Sequence, residues 1–115
     1  MAHHLYLAFA AALDGKREEY EAWYDSQHMS DVLAVPGFIS ARRYDVVGRR
    51  PKETTRGYQY LTVYEIDSDD IDATIGELRS RIAAGAINAG TLFEPSLLGF
   101  YTVTAASPHL FAKKG

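Results

Sequence analysis

Cysteine is absent from this chain, which excludes disulfides, thiol nucleophiles and thiolate-based metal or iron–sulfur sites while leaving the compartment open. Long hydrophobic runs are absent too: nothing approaches the ~18 apolar residues of a membrane-spanning helix. Positive charge is not in excess. Over 115 residues the formal charge is −3, which argues against a nucleic-acid surface, since such a surface needs clustered cations. The one basic group, Arg42, Arg43, Arg49, Arg50, Lys52 and Arg56, falls mostly around an expected loop and reads as a solvated turn. A glycine-rich phosphate loop is also lacking, because Gly85 to Gly90 is sparse and follows a helix instead of opening one. Nucleotide and flavin cofactors therefore have no support, and none is expected. The start, Met1 to Ala10, has a short apolar core with no basic segment before it and reads as a first strand rather than a signal peptide. The cytoplasm is the default setting. His3 and His4 are either native or the remnant of an expression tag, and carry no assigned chemistry.

What is present is a globular composition, 47% hydrophobic and 23% charged, in a length that suits one domain with its own core. Residues 4–11 are apolar and stop at Asp14-Gly15, a turn dipeptide. Residues 16–34 lack Gly and Pro, with Asp14 as the expected N-cap. Tyr20, Trp23, Tyr24, Gln27, His28 and Asp31 follow a helical period that Val32 and Val35 close. Pro36 ends that helix by forcing the preceding residue out of helical geometry. Residues 37–47 alternate as a second strand, and 48–57 form a polar loop. Residues 58–66 form the clearest strand, with Tyr58, Tyr60, Thr62 and Tyr64 expected on one face. A helix then starts near Asp67-Ser68-Asp69-Asp70, whose acidic turn suits the positive end of the helix dipole. Ile71, Ile75, Leu78 and Ile82 make its stripe, and Gly85 marks its end. Residues 87–95 read as a loop, 97–105 as a last strand and 107–115 as a polar tail.

The order strand, helix, strand, strand, helix, strand predicts a ferredoxin-like α+β fold: βαββαβ, a four-stranded antiparallel sheet with two helices on one face. The domain is expected to span residues 1–106. Such a sheet leaves one face uncovered, and an apolar face of that size marks an interaction surface. A twofold homodimer, sheet against sheet, is the economical solution.

The chemistry-bearing run is Trp23-Tyr24-Asp25-Ser26-Gln27-His28, followed by Pro36-Gly37-Phe38. Side chains about four apart share a helix face, so Tyr24, His28 and Val32 lie on one stripe with Trp23 beside it. An imidazole there needs a hydrogen-bond partner or a cavity, and near pH 6.5 it gives or takes a proton. The plain alternative is a histidine that only orders the helix end. Asp25 and Asp31 flank His28 at three residues on either side, and either can reach and orient the ring. A metal is not expected, because one histidine and two acids on a single helix cannot close a coordination sphere. Tyr6, Tyr58, Tyr60, Tyr64 and Tyr101 lie on expected strands, where a tyrosine serves either a pocket or an interface. Tyr60 and Tyr64 share a face.

The pattern Trp23-Tyr24-x-x-x-His28 with Pro36-Gly37 eight residues on resembles the dimeric α/β-barrel superfamily, and within it the EthD-like branch. Tyr60-Leu61-Thr62-Val63-Tyr64-Glu65-Ile66 is similar to that superfamily's third strand. The resemblance implies a homodimer with a pocket between each sheet and its helices, His28 as the group that carries chemistry, and Tyr24 and Trp23 lining or supporting the pocket. The superfamily holds cofactor-free monooxygenases, cyclases, isomerases, haem-degrading enzymes and accessory proteins, so the fold does not choose a reaction.

Two functions follow. The first is a cofactor-free cyclase, isomerase, lyase or monooxygenase acting on a small aromatic or polyketide-like compound. His28, Tyr24 and Asp31 are its candidate catalytic residues, with Trp23, Tyr60, Tyr64, Tyr6 and Phe38 contacting substrate and a tyrosine hydroxyl holding a developing enolate. The second is a non-catalytic ligand-binding or accessory dimer, in which His28 is structural.

Overall fold

A computed structural model describes residues 3–46, 57–88, 90–107, 110 and 113. The elements are β1 (His3–Ala10), α1 (Arg17–Trp23), a π-helical turn (Tyr24–His28), α2 (Met29–Leu33), β2 (Phe38–Asp45), β3 (Tyr60–Asp67), α3 (Ile71–Ala83) and β4 (Gly99–Thr104). The sheet has the order β2-β3-β1-β4, and every neighbouring pair is antiparallel. This is the expected ferredoxin-like βαββαβ arrangement.

Alternation assigns the faces. Tyr60, Thr62, Tyr64 and Ile66 of β3 are buried; Tyr64 and Ile66 pack with Val32, Ile75 and Leu78 of the helices and with Val35 just after α2, and Tyr60 packs with Tyr20 and Tyr24. The register pairs Tyr64 with Tyr6 and Tyr6 with Thr102, so Tyr6, Ala8 and Phe100 share this covered face. Leu5, Leu7, Leu61 and Val63 point the other way and are only half-buried. Beside them Tyr101 and Val103 are 57% and 40% exposed. That open face is apolar.

Helix α1 starts later than Asp14. Gly15 has φ +74°, and the Lys16 N–H donates to the Leu13 carbonyl at 2.9 Å. This tight turn leaves Lys16 at the N-cap with no side-chain cap bond. Helix α3 starts as its acidic turn suggests, with Asp70 accepting from the Ala73 N–H at 3.1 Å.

Three further expectations change. The strand containing Tyr60 begins only at that residue, so Tyr58 is free of its alternation and packs on Phe9 of the open face, 5.3 Å between rings. Strand β2 shifts register between Phe38 and Ser40. The shift brings Ala41, Arg43 and Asp45 to the helix-covered face, because a one-residue slip swaps the faces of a strand. Arg43 is therefore no solvated turn residue: its side chain is 15% exposed and forks onto Asp25, Nε to Oδ1 at 3.0 Å and Nη2 to Oδ2 at 2.8 Å. Arg49, Arg50, Lys52 and Arg56 lie outside the described residues, as does most of the 107–115 segment. His4 is a strand residue with a packing role: it is buried, with Nδ1 2.7 Å from the Thr104 hydroxyl and Nε2 3.1 Å from the Ser68 carbonyl.

Candidate active site

The helix over residues 17–33 is not uniformly α. Trp23 and His28 keep helical backbone angles, but the Met29 N–H reaches back to the Tyr24 carbonyl, one residue further than an α-helix allows. The wider turn brings side chains five apart into line. The rings of Trp23 and His28 stack at 4.7 Å and 29°, with Tyr24 tilted against His28 at 4.9 Å. Such π-turns often mark functional sites in helices.

The loop between α3 and β4 supplies what the helix lacks. His28 Nδ1 lies 2.9 Å from the backbone carbonyl of Asn88. A carbonyl oxygen only accepts, so Nδ1 carries the hydrogen and the lone pair of the neutral ring sits on Nε2. Nε2 has no partner among the described residues and is not sealed off from solvent. Burial pushes the imidazole pKa down, and the bond to Asn88 and the charge of Asp31 only partly offset it. The lowered pKa favours the neutral ring near pH 7, with Nε2 unpartnered among the described residues. Gly90 completes the frame: its φ is +83°, and a Cβ there would lie 2.5 Å from the Trp23 indole. Only a glycine lets the loop close over the indole.

In front of His28 lies a cavity of about 340 Å³. Its wall includes Tyr6, Tyr20, Trp23, Tyr24, Tyr64, Phe93 and Leu98, with Arg79, Ile82 and Phe100. Arg79, Ile82 and Phe100 remain exposed and mark the mouth, between α3 and β4. Tyr6 stacks on Phe100 at 6.0 Å and 12°. Burial pushes the Tyr6 phenol pKa up, opposed by the nearby charge of Arg79, so at neutral pH it is a hydroxyl donor.

The structure gathers His28, Trp23, Tyr24, Tyr64 and Tyr6 around this cavity and leaves three expected site residues outside it. Tyr60 is packed beneath Tyr20, 5.0 Å ring to ring, and donates to Glu21 at 2.7 Å. Phe38 is buried behind Tyr6 and Tyr64. Asp31 makes no hydrogen bond to His28 among the described residues, and the orienting place it was expected to take is filled by Asn88. Asp25, the other candidate, is held by Arg43. Tyr24 and Tyr64 share one hydrogen bond, O–O 2.7 Å, and burial raises both phenol pKa values. Among the described residues no cluster of three or more His, Asp or Glu is placed to hold a metal ion.

No protein-family model matches the chain, and no curated protein does. Solved structures match along nearly its whole length. An EthD-family protein of Bacillus halodurans C-125 is 15% identical with a TM-score of 0.56, over 90% of this chain and 97% of its own. A dimeric ferredoxin-like protein from an uncultured marine organism is 10% identical with a TM-score of 0.57, over 96% and 100%. SnoaB, a cofactor-independent oxygenase of Streptomyces nogalater, is 17% identical with a TM-score of 0.51, over 94% and 98%. The fold is shared. The EthD-like, ferredoxin-like resemblance of the sequence thus holds at the level of architecture. Among the described residues no helix is long and apolar enough to cross a membrane.

Proposed function

We propose that this protein is a small homodimeric enzyme that moves a proton on a compact ring compound, with His28 as general base and then acid. The observation that carries this reading is the Nδ1–Asn88 bond. It leaves Nε2 unprotonated at an aromatic cavity whose volume falls in the ~300–1,000 Å³ range of small-molecule sites. Nε2 would take a proton from a phenol or an activated C–H, and the Tyr6 hydroxyl would donate to the developing enolate oxygen. Returning the proton at another carbon gives isomerisation, and attack of the enolate within the same molecule gives cyclisation. Reaction of the enolate with dioxygen gives oxygenation, the activity that SnoaB is named for. Trp23 and Tyr24 hold the imidazole in place, and Tyr64 holds Tyr24.

The homodimer is supported by the open sheet face, where Tyr44, Tyr101 and Val103 are exposed beside half-buried Phe9, Leu61 and Val63, and by a neighbour that is itself dimeric. Light scattering on the purified protein should give twice the chain mass, and Tyr101→Asp should halve it.

The catalytic reading is tested by incubating the protein with aromatic hydroxy acids and polyketide mimics, following both heat stability and product. General bases contribute about 10²–10⁴-fold, so His28→Gln should cut turnover by that factor while binding survives. A second reading, a non-catalytic ligand-binding dimer, is favoured by Tyr24 and Tyr64, whose hydroxyls satisfy each other rather than a ligand. Stabilisation by a ligand that emerges unchanged would select it.

A further inference from the structure

The cavity is apolar and aromatic over most of its wall, yet one cation stands at its mouth. Among the described residues, Arg79 is the only charged side chain that lines the cavity, and none of the lining residues is acidic. Its own helix gives it no counter-ion: the positions three and four away are Ile75, Gly76, Ile82 and Ala83. Three other described arginines are paired, Arg17 with Glu21, Arg43 with Asp25 and Arg81 with Glu77, while the exposed strand residue Arg42 has no ion pair among the described residues. Arg79 has no such partner among the described residues. The chain as a whole is acidic, so this cation is placed against the general charge. Tyr6 stands at the same part of the wall, close enough for the Arg79 charge to act on its phenol, and its hydroxyl has no hydrogen-bond partner among the described residues.

We propose that Arg79 is the anion-recognising residue of this cavity, and that the ligand is a ring acid held at the mouth by its carboxylate or an equivalent oxyanion. A planar guanidinium presents paired N–H donors that match a carboxylate, and the match gives direction as well as attraction. With the acid group at Arg79, the ring enters among Trp23, Phe93 and Leu98, and the Tyr6 hydroxyl stays free for the enolate oxygen. That orientation carries the ring toward His28 and away from solvent. The inference rests on the cavity being the substrate site, and it names the class of substrate.

The test uses 1-naphthoate and its methyl ester, which share the ring and differ in charge. Their binding is compared by titration calorimetry on the wild type and on Arg79→Gln, Arg79→Lys and His28→Gln, with heat stability confirming that each variant folds. The wild type should bind the acid at least about tenfold tighter than the ester, a difference of about 1.4 kcal/mol. Arg79→Gln should abolish the preference, Arg79→Lys should keep part of it, and His28→Gln should leave it whole. An acid bound no tighter than its ester, a preference that survives Arg79→Gln, or no binding of the acid at all would overturn the assignment. Binding needs no turnover. The preference can therefore stand where catalysis by His28 fails, and catalysis can stand on a neutral substrate where the preference fails.

Discussion

The imidazole of His28 lies 4.7 Å from the indole of Trp23, nearly parallel to it, although the two residues are five apart in one helix. In a regular α-helix a separation of five turns side chains away from each other. The π-helical turn from Tyr24 to His28 removes that offset, and the loop after α3 then fixes both rings, Asn88 the imidazole and Gly90 the indole. The site is therefore a joint product of one distorted helix and one loop.

Gly90→Ala should damage the protein more than its small size suggests. A left-handed backbone on a non-glycine residue costs about 1–3 kcal/mol, and overpacking against Trp23 costs about 1–3 kcal/mol more. The melting temperature should fall. Trp23 is the sole tryptophan, so its emission should shift to the red as the indole is pushed outward. Wild-type stability with wild-type emission would show that the loop does not rest on the indole.

His28 should make stability depend on pH. Burial holds its folded pKa below the ordinary value, so the unfolded chain takes up the proton first, near pH 6.5. Stability present above that pH is lost as pH falls, and the loss ends once folded His28 is itself protonated. Glu21 and Asp25, whose pKa values are lowered by hydrogen bonds to Tyr60 and Arg43, act only at lower pH, in the carboxylate range. Denaturant unfolding between about pH 7.5 and about pH 5 should thus show a steeper loss for the wild type than for His28→Gln. Equal slopes would mean that burial does not depress this imidazole.

Tyr24 and Tyr64 should behave as a pair. Tyr24→Phe leaves the buried Tyr64 hydroxyl without its partner, at a cost of about 1–3 kcal/mol, whereas Tyr64→Phe leaves the Tyr24 hydroxyl with Thr62 and should cost less. The double change removes both hydroxyls and should cost less than the two singles together, a coupling that a double-mutant cycle reads directly. Strict additivity would place the hydroxyls on other partners.

The architecture was legible because each β-strand and helix announces its period. The alternation around Tyr60, Thr62 and Tyr64, and the stripe of Ile75 and Leu78 in α3, are the surfaces that bury the core. The π-helical turn was not legible, since a run such as Tyr24 to His28 satisfies a spacing of four as well as five. The role of Arg43 was hidden by the register shift after Phe38, which moves a residue across the sheet with no mark in composition. Asn88 orients His28 through its backbone, and a carbonyl carries no residue signature. Arg79 did leave a signal. It lies four residues after Ile75 and three before Ile82, at the edge of the apolar stripe, where a long cation reaches the rim of whatever the stripe covers.

The central claim is that His28 presents a bare Nε2 to the cavity. Long-range proton–nitrogen correlation spectra of the His28 ring at about pH 7.5 read the tautomer directly. The account predicts a neutral ring protonated at Nδ1, with Nε2 unprotonated, and loss of that signature once the ring is protonated at lower pH. A ring protonated at Nε2, or an imidazolium at that pH, would contradict it, because neither leaves a base facing the ligand.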